Sequence, residues 1–530
     1  MKQLLTHLRS LMCGIVITCS TAAHALITTL NYADPQPLYT AHYPYTLLAY
    51  SARNYGEGIY KTPGYDNFCV SFMPFYQRAN TGTNFNGISH VAIGNIPARM
   101  NMIAILPYNT TTQGQNCSQN VYTNTNTDLP CGQTTPTTFT QTRDQLLYDI
   151  CQVFATSNPV ATTPTQLTTI EGLIQVQQSN PNYENNMGMY DNQMKYRKYG
   201  VRFNVEAMLG KGFGFTVCTG IASLNQTPQL IDQTQNAQTP VFNPTGSATS
   251  VTAEQWKAVL GYISIDDVAK IKELGRAVNL DVCAYDRTSI EDIYIDLFWR
   301  GLFQAQRNPQ RIPGLGYKRW DSYFAIPFAS IGGTIATGKK KNQNILFSLP
   351  FGNNGHNAVR LRAGLCIDFF DAFEFCGEIG FTHFDARWIN NLRIPNNIYQ
   401  MNFYPYATAA CVRPGSNWHA SIGMYAYNFN STISATFLYA FVHHSEDKIR
   451  LTDCQLINNP NQPVPTVCST TAFDVEGLMC RSAWLAQVIN GSLCCEISPN
   501  ARLLGMIQIP VAQRNAYRSS TYGLSFEFGY

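Results

Sequence analysis

Several ionisable side chains recur at alternate positions of apolar segments: Arg202 and Glu206, Asp296 and Arg300, Arg360, Arg362 and Asp368, and Glu374 and Glu378. In an extended chain every second residue projects from the same face, so each set would stand on one side of a strand and meet water. Basic and acidic groups opposed across a narrow aqueous space create a transverse field, which sorts solutes by charge and size. In a narrower interior the same groups would pair and close it. Other chemistry finds less support. His443 and His444 are metal-ligand types, but neighbours on a strand point to opposite faces, so no metal site is expected. Ser421 and Ser434 lack the context of an activated nucleophile, and the chain has neither a Gly-rich phosphate loop nor zinc-ligand spacing. No enzymatic activity and no cofactor are expected.

The segments that must position these groups read as strands. In Lys198–Ile221, Tyr199, Val201, Phe203, Val205, Ala207 and Leu209 form one face and Arg202, Asn204 and Glu206 the other. The chain turns at Gly210-Lys211-Gly212 and returns through Phe213, Phe215 and Val217, a hairpin pattern. An ionised face opposite a wholly apolar one fits a water-filled lumen backed by lipid. Further strands are expected at Tyr43–Arg53, around Phe68–Phe72, and at Met100–Leu106, Ile293–Arg300, Ser322–Gly338, Asn344–Gly352, Val359–Asp368 and Phe373–Thr382. Phe403–Val412, Trp418–Asn428, Thr432–His443, Ser482–Asn490, Ala501–Ile509 and Ser520–Tyr530 complete a set of about sixteen, within the range of bacterial barrels.

Long polar segments near 107–195, 224–289 and 445–480 separate these strands. They are too long for bare connections and are expected to be functional loops or small insertions. Short helices are expected on them: Asp144–Phe154, Ala253–Leu260 behind a Thr252/Gln255 capping box, and Val268–Leu274, closed by Gly275. The pair near 252–274 would either plug a mouth or lie on the surface.

Composition points the same way. Charged residues are 13% and aromatics 12% of 530 residues, against about 25% charged in typical soluble domains. Polarity comes from Asn, Gln, Thr and Ser instead. A net charge of +3 is too small to argue for a nucleic-acid partner. Met1–Ala25 reads as a secretory signal peptide, with Lys2 and Arg9, an apolar Leu11–Ile17 and a small-x-small Ala23-His24-Ala25. No stretch approaches the ~18 consecutive apolar residues of a transmembrane helix.

The last eleven residues, Ser520–Tyr530, set Tyr522, Leu524, Phe526, Phe528 and Tyr530 on one face and Ser525, Glu527 and Gly529 on the other. Thr521, Gly523, Phe526, Phe528 and a final aromatic together resemble the terminal strand of Gram-negative outer-membrane β-barrels. The resemblance implies that Gly523, Phe526, Phe528 and Tyr530 form a signal for the barrel assembly machinery. It also implies a periplasmic C-terminus with short periplasmic turns and long outer loops. Counted back from Tyr530, the three long segments fall outside and the turns near 210–212 and 429–431 fall inside. Asp385–Asn402 departs from this pattern as a long periplasmic turn, opposite a tight outer one near Asp371.

Two of the sixteen cysteines, Cys13 and Cys19, would leave with the signal peptide. The others belong to an exported chain, where disulfides persist. Cys117 and Cys131 share one polar loop, Cys454 and Cys468 repeat that spacing in another, and Cys366 and Cys376 oppose each other across a hairpin centred on Asp371. Sequence does not settle connectivity, and intermolecular crosslinks remain the alternative.

The expected fold is therefore all-β, a transmembrane antiparallel barrel over residues 26–530 in the outer membrane of a Gram-negative bacterium. The expected function is passive diffusion of small solutes through a porin-like channel. Its expected partners are membrane lipid, the assembly machinery and small solutes, with homo-oligomerisation left open. Two alternatives stand beside it. One is a cysteine-crosslinked envelope protein or adhesin, similar in strategy to chlamydial outer-membrane proteins, and the other is a transporter of hydrophobic compounds.

Overall fold

In the computed structural model the described residues are 68–96, 99–101, 122–125, 138–141, 189–210, 212–232, 271–272, 275–276, 279–301, 303–305, 323–369, 373–395, 402–404, 406–430, 433–451, 475–498 and 501–529. Twelve strands among them close on themselves. In chain order they are β1 (Phe68–Thr83), β2 (Lys195–Gly210), β3 (Phe213–Thr227), β4 (Ile293–Arg300), β5 (Tyr323–Ile335) and β6 (Ala358–Phe369). The circuit continues through β7 (Phe373–Phe384), β8 (Asn417–Asn430), β9 (Ile433–His444), β10 (Trp484–Ser498), β11 (Ala501–Arg514) and β12 (Ala516–Gly529). Each pairs antiparallel with the next, and β12 returns to β1 with Phe526 opposite Phe72 and Glu527 opposite Ser71. Closure of this kind leaves no backbone edge unpaired.

Period-two alternation builds the wall. Leu209, Phe213, Leu297, Ile379, Ile422 and Leu493 are exposed on the outside, whereas Ser71, Asn204, Asp296, Glu374, Thr521 and Ser525 are buried inside. The strand order also separates the two ends. Turns 211–212, 370–372, 431–432 and 499–500 lie at the end where β12 finishes. The connections across 84–194, 228–292, 336–357, 385–416 and 445–483 start and finish at the other. Two connections cross this division. The β11–β12 link is the single residue Asn515, at φ 55°, and the longer connection across 301–322 starts and finishes at the short-turn end.

The strand count of about sixteen is corrected to twelve, and with it the parity conflict disappears. The turn near Asp371 belongs with the short turns and 385–416 with the long loops. Three expected strands are not part of the wall. Asn344–Gly352 carries the right alternation, but Ile345, Phe347, Leu349 and Phe351 are buried in an interior cluster. Alternation reports two unlike faces without saying which side of a wall they occupy. The region of Phe403–Val412 forms Tyr406–Arg413, the middle strand of a separate three-stranded sheet with Arg387–Ile394 and Lys448–Leu451. That sheet and the helix Val475–Cys480 share a small core of Ile389, Leu392, Val412, Ile449 and Leu478. Small Ala407 and Ala409 stand where a lipid-facing strand would carry larger side chains. Of Met100–Leu106, only Met100–Asn101 is described as strand. Tyr43–Arg53 and the helices expected at 144–154 and 253–260 lie outside the described residues, as does most of 268–274.

Candidate functional site: the charged arc of the barrel interior

On β2 the even-numbered residues point inward. Lys198, Arg202, Asn204 and Glu206 are buried, while Tyr199, Phe203 and Leu209 stand outside. On β4, Asp296, Phe298 and Arg300 point inward. Strands two apart exchange ion pairs most directly where the strand between them offers no side chain. Gly332 of β5 is registered between Asp296 and Arg360 of β6, and an added Cβ would strike the Asp296 carboxylate. Over that gap Arg360 donates to Asp296 Oδ2, and Arg362 stands 3.6 Å from the same oxygen. Gly220 of β3 leaves a similar gap beside Arg202, where a Cβ would come within 2.7 Å of Glu291 Oε2.

Glu291 and its neighbour Asp292 reach the interior through a bulge. Ile290 lies opposite Ile221 and Tyr294 opposite Cys218, so the approach to β4 holds one more residue than the facing run of β3. A bulge breaks alternation and re-aims side chains. Here it buries two consecutive carboxylates, Glu291 at 5% and Asp292 at 0% exposure. Arg202 grips Glu291 through Nε at 2.7 Å and Nη2 at 3.0 Å, and Lys198 Nζ stands 2.7 Å from its Oε1. The Arg202 guanidinium also lies 4.1 Å from the centroid of the Phe75 ring.

Further pairs complete the arc. Arg300 Nη2 is 3.0 Å from Glu206 Oε1, with its guanidinium 4.1 Å from the centroid of the Phe298 ring. Arg362 Nη1 is 3.9 Å from Glu378 Oε1, and His419 Nε2 is 3.2 Å from that oxygen. Removing such charges from water is costly, and close pairing is what makes their burial tolerable. Of the residues singled out in the sequence, Arg202, Glu206, Asp296, Arg300, Arg360, Arg362, Glu374 and Glu378 are buried on the inner face. The ion pairs join groups along one arc, β2 to β8. Asp368 is registered opposite Glu374, and its side chain lies outside the described residues.

Sequence reasoning did not single out Lys198, Glu291, Asp292 and His419. For the acidic pair a signal exists: Glu291 and Asp292 are adjacent between Ile290 and Ile293, where an unbroken strand would alternate.

At the short-turn end Cys366 and Cys376 form the disulfide that their opposed positions suggested, with Cα atoms 4.1 Å apart. They pack inside with Phe298, Ile326 and Phe328. Cys117, Cys131, Cys454 and Cys468 lie outside the described residues. Of the terminal strand, Gly523, Phe526 and Phe528 are placed on β12, Phe526 and Phe528 facing outward, and Tyr530 lies outside the described residues. His444 is buried with Nδ1 2.6 Å from Asn417 Oδ1 and Nε2 3.0 Å from Asp447 Oδ1. It forms part of the corner where loop 445–483 leaves the barrel.

No protein-family model and no curated protein sequence matches this chain. Among solved structures it is similar to an outer-membrane channel from Pseudomonas putida F1, at 6% identity over 89% of this chain and 98% of that one, with a TM-score of 0.40. It is also similar to the translocator domain of the autotransporter NalP from Neisseria meningitidis, at 5% identity over 92% and 95% of the two chains and a TM-score of 0.28. A third is the toluene transporter TodX from Pseudomonas putida, at 9% identity over 64% and 71% and a TM-score of 0.24. Similarity of this size says nothing about cargo.

Proposed function

We propose that this chain is an outer-membrane β-barrel that conducts small solutes through its interior. The observation that carries the proposal is the difference between the wall and what closes it. The inner wall from β2 to β8 is ionised and hydrogen-bonding along much of its height. The apolar mass at the long-loop end includes residues of connections, such as Ile93, Leu280, Ile345, Phe347 and Leu349, packed onto strand residues Phe75, Tyr196 and Tyr517. A barrel serving only as a scaffold could fill itself with apolar side chains from its own strands. A polar wall closed by a loop is instead suited to a passage that opens when the loop moves. The exposed apolar band supports a position in the membrane, since strands that cross lipid alternate apolar-out and polar-in.

Charges of both signs on one arc would give such a passage a transverse field that sorts permeating solutes by charge and size. The test is conductance of the refolded chain in planar bilayers. Discrete ion-conducting steps are the expected outcome. A protein that inserts, shows the heat-modifiable mobility of a folded barrel, and never conducts would point to the structural envelope reading.

A further inference from the structure

We propose that loop 336–357 is a gate seated in the barrel mouth and that Asp292 is its latch. The proposal rests on the channel reading and names how that channel is controlled. The loop leaves β5 and returns to β6, and its neck is drawn together where the Phe351 amide donates to the Lys339 carbonyl at 2.9 Å. Ala336 N–H donates to Asn357 Oδ1 at 3.1 Å just below. Between them the chain sends Ile345, Phe347, Leu349 and Phe351 into a cluster with Phe75, Tyr196, Leu224 and Tyr517, which belong to β1, β2, β3 and β12. The loop therefore bears on the wall from inside.

The bulge supplies the fastening. Asp292 Oδ1 accepts from Gly338 N–H at 2.8 Å, and its Oδ2 accepts from Asn353 N–H. One carboxylate thus holds both limbs of the loop, while the adjacent Glu291 is fixed to Lys198 and Arg202 of β2. The glycines at the contact show that the fit is close. A Cβ at Gly338 would come within 2.9 Å of Asp292 Oδ1, and one at Gly352 would collide with the carboxylate itself. Lys339, Lys340 and Lys341 of the loop are not buried. Its buried side sets Ile345, Phe347, Leu349 and Phe351 beside polar Gln343, Asn344 and Ser348, and its two limbs meet at one carboxylate. Releasing that acceptor would leave the loop held by apolar contact, by backbone bonds to Asp281, and by Arg387, whose Nη1 donates to the Asn354 carbonyl.

The test is single-channel recording of the full folded chain in bilayers. Asp292→Ala should raise the fraction of time spent conducting by about tenfold or more, because two hydrogen bonds to an ionised group are lost from the closed state only. Asp292→Asn, which keeps the shape and one acceptor, should fall between. Gly352→Ala should open the channel with the carboxylate still present. A chain in which 336–357 is replaced by a short Gly-Asn turn should conduct continuously. If that chain conducts but Asp292→Ala, Asp292→Asn and Gly352→Ala all behave as the unaltered protein, the latch is refuted and the channel stands. If the folded, loop-deleted barrel does not conduct, channel and gate fall together.

Discussion

From β2 to β8 the barrel interior is an arc of ion pairs, whereas from β9 round to β1 it is almost free of charge. On the first arc Lys198, Arg202, Glu206, Asp296, Arg300, Arg360, Arg362 and Glu378 are all buried in salt bridges. On the second, inner positions are taken by Ser434, Asn490, Gln508, Ser519, Thr521, Ser525 and Gln77, with Leu438, Ala440, Val442, Ala486 and Val488 nearer the long-loop end. Carboxyl and guanidinium side chains appear at its described inner positions at the short-turn end, as Glu496, Arg502 and Glu527. The two arcs differ in how replaceable their parts are. A buried charge depends on its partner, so each pair is a commitment. A neutral polar group can be exchanged at little cost.

The largest expected effect is at Glu291, where one carboxylate compensates two cations. Glu291→Ala should leave Lys198 and Arg202 buried without it and destabilise the barrel by about 3–5 kcal/mol. The urea midpoint of the heat-modifiable folded band would show this. A loss no greater than that of a neutral-arc substitution would erase the distinction between the arcs.

Next is selectivity. Arg360→Ala combined with Arg362→Ala removes two fixed positive charges and leaves Asp296 and Glu378 behind. Reversal potentials in a salt gradient should shift toward cation preference. An unchanged reversal potential in a conducting protein would put the passage along the neutral arc, away from these residues.

How much of this was legible in the sequence depends on whether alternation was intact. On β2 it was unbroken over Tyr199–Leu209, so both faces and the inward set Arg202, Asn204 and Glu206 could be read off. The Cys366–Cys376 bridge was legible because a tight turn at Asp371 fixes which residues oppose. The latch was not legible, because a bulge is a break in the pattern and aims Glu291 and Asp292 the same way. The strand count failed for a related reason. Asn344–Gly352 alternates like a wall strand, yet its apolar face meets the barrel's own interior. Nor does composition reveal which inner positions must be empty. Gly332 matters because Asp296 and Arg360 meet across it, a fact of register between three strands.

The loop rooted on the charged arc should also respond to acid. His356 is buried at the loop's end, and its Nδ1–H donates to the Asp385 carbonyl at 2.8 Å. Burial pushes its pKa down to about 4; that hydrogen bond opposes the shift, Arg387 adds to it, and Asp447 and Asp385 oppose it. A released loop would return His356 to its ordinary 6.5. Between these values the released state binds more protons, so the seated loop loses stability as pH falls through 6.5 toward 4, by ~2 kcal/mol at pH 5. Channel opening should rise over that window. His356→Asn, which can keep the donor to Asp385, should flatten the profile; an unaltered profile would remove His356 as its source.

The smallest effect is expected on the neutral arc itself, at Asn490. Its side chain is buried on the inner face of β10, and neither its Oδ1 nor its Nδ2 hydrogen-bonds to another protein group. Thr436, Ser492, Met506 and Gln508 surround it, and none of these is ionised. Asn490→Leu keeps nearly the same volume and withdraws an amide that the protein leaves unsatisfied. Leaving a buried donor or acceptor unpaired costs about 1–3 kcal/mol, so its removal should be neutral or stabilising, within ~1 kcal/mol of the unaltered chain. The same urea assay used for Glu291→Ala measures it, and the two values belong side by side. A loss at Asn490 as large as at Glu291 would mean that its amide is held by a partner as firmly as the carboxylate is. The two arcs would then differ in charge alone.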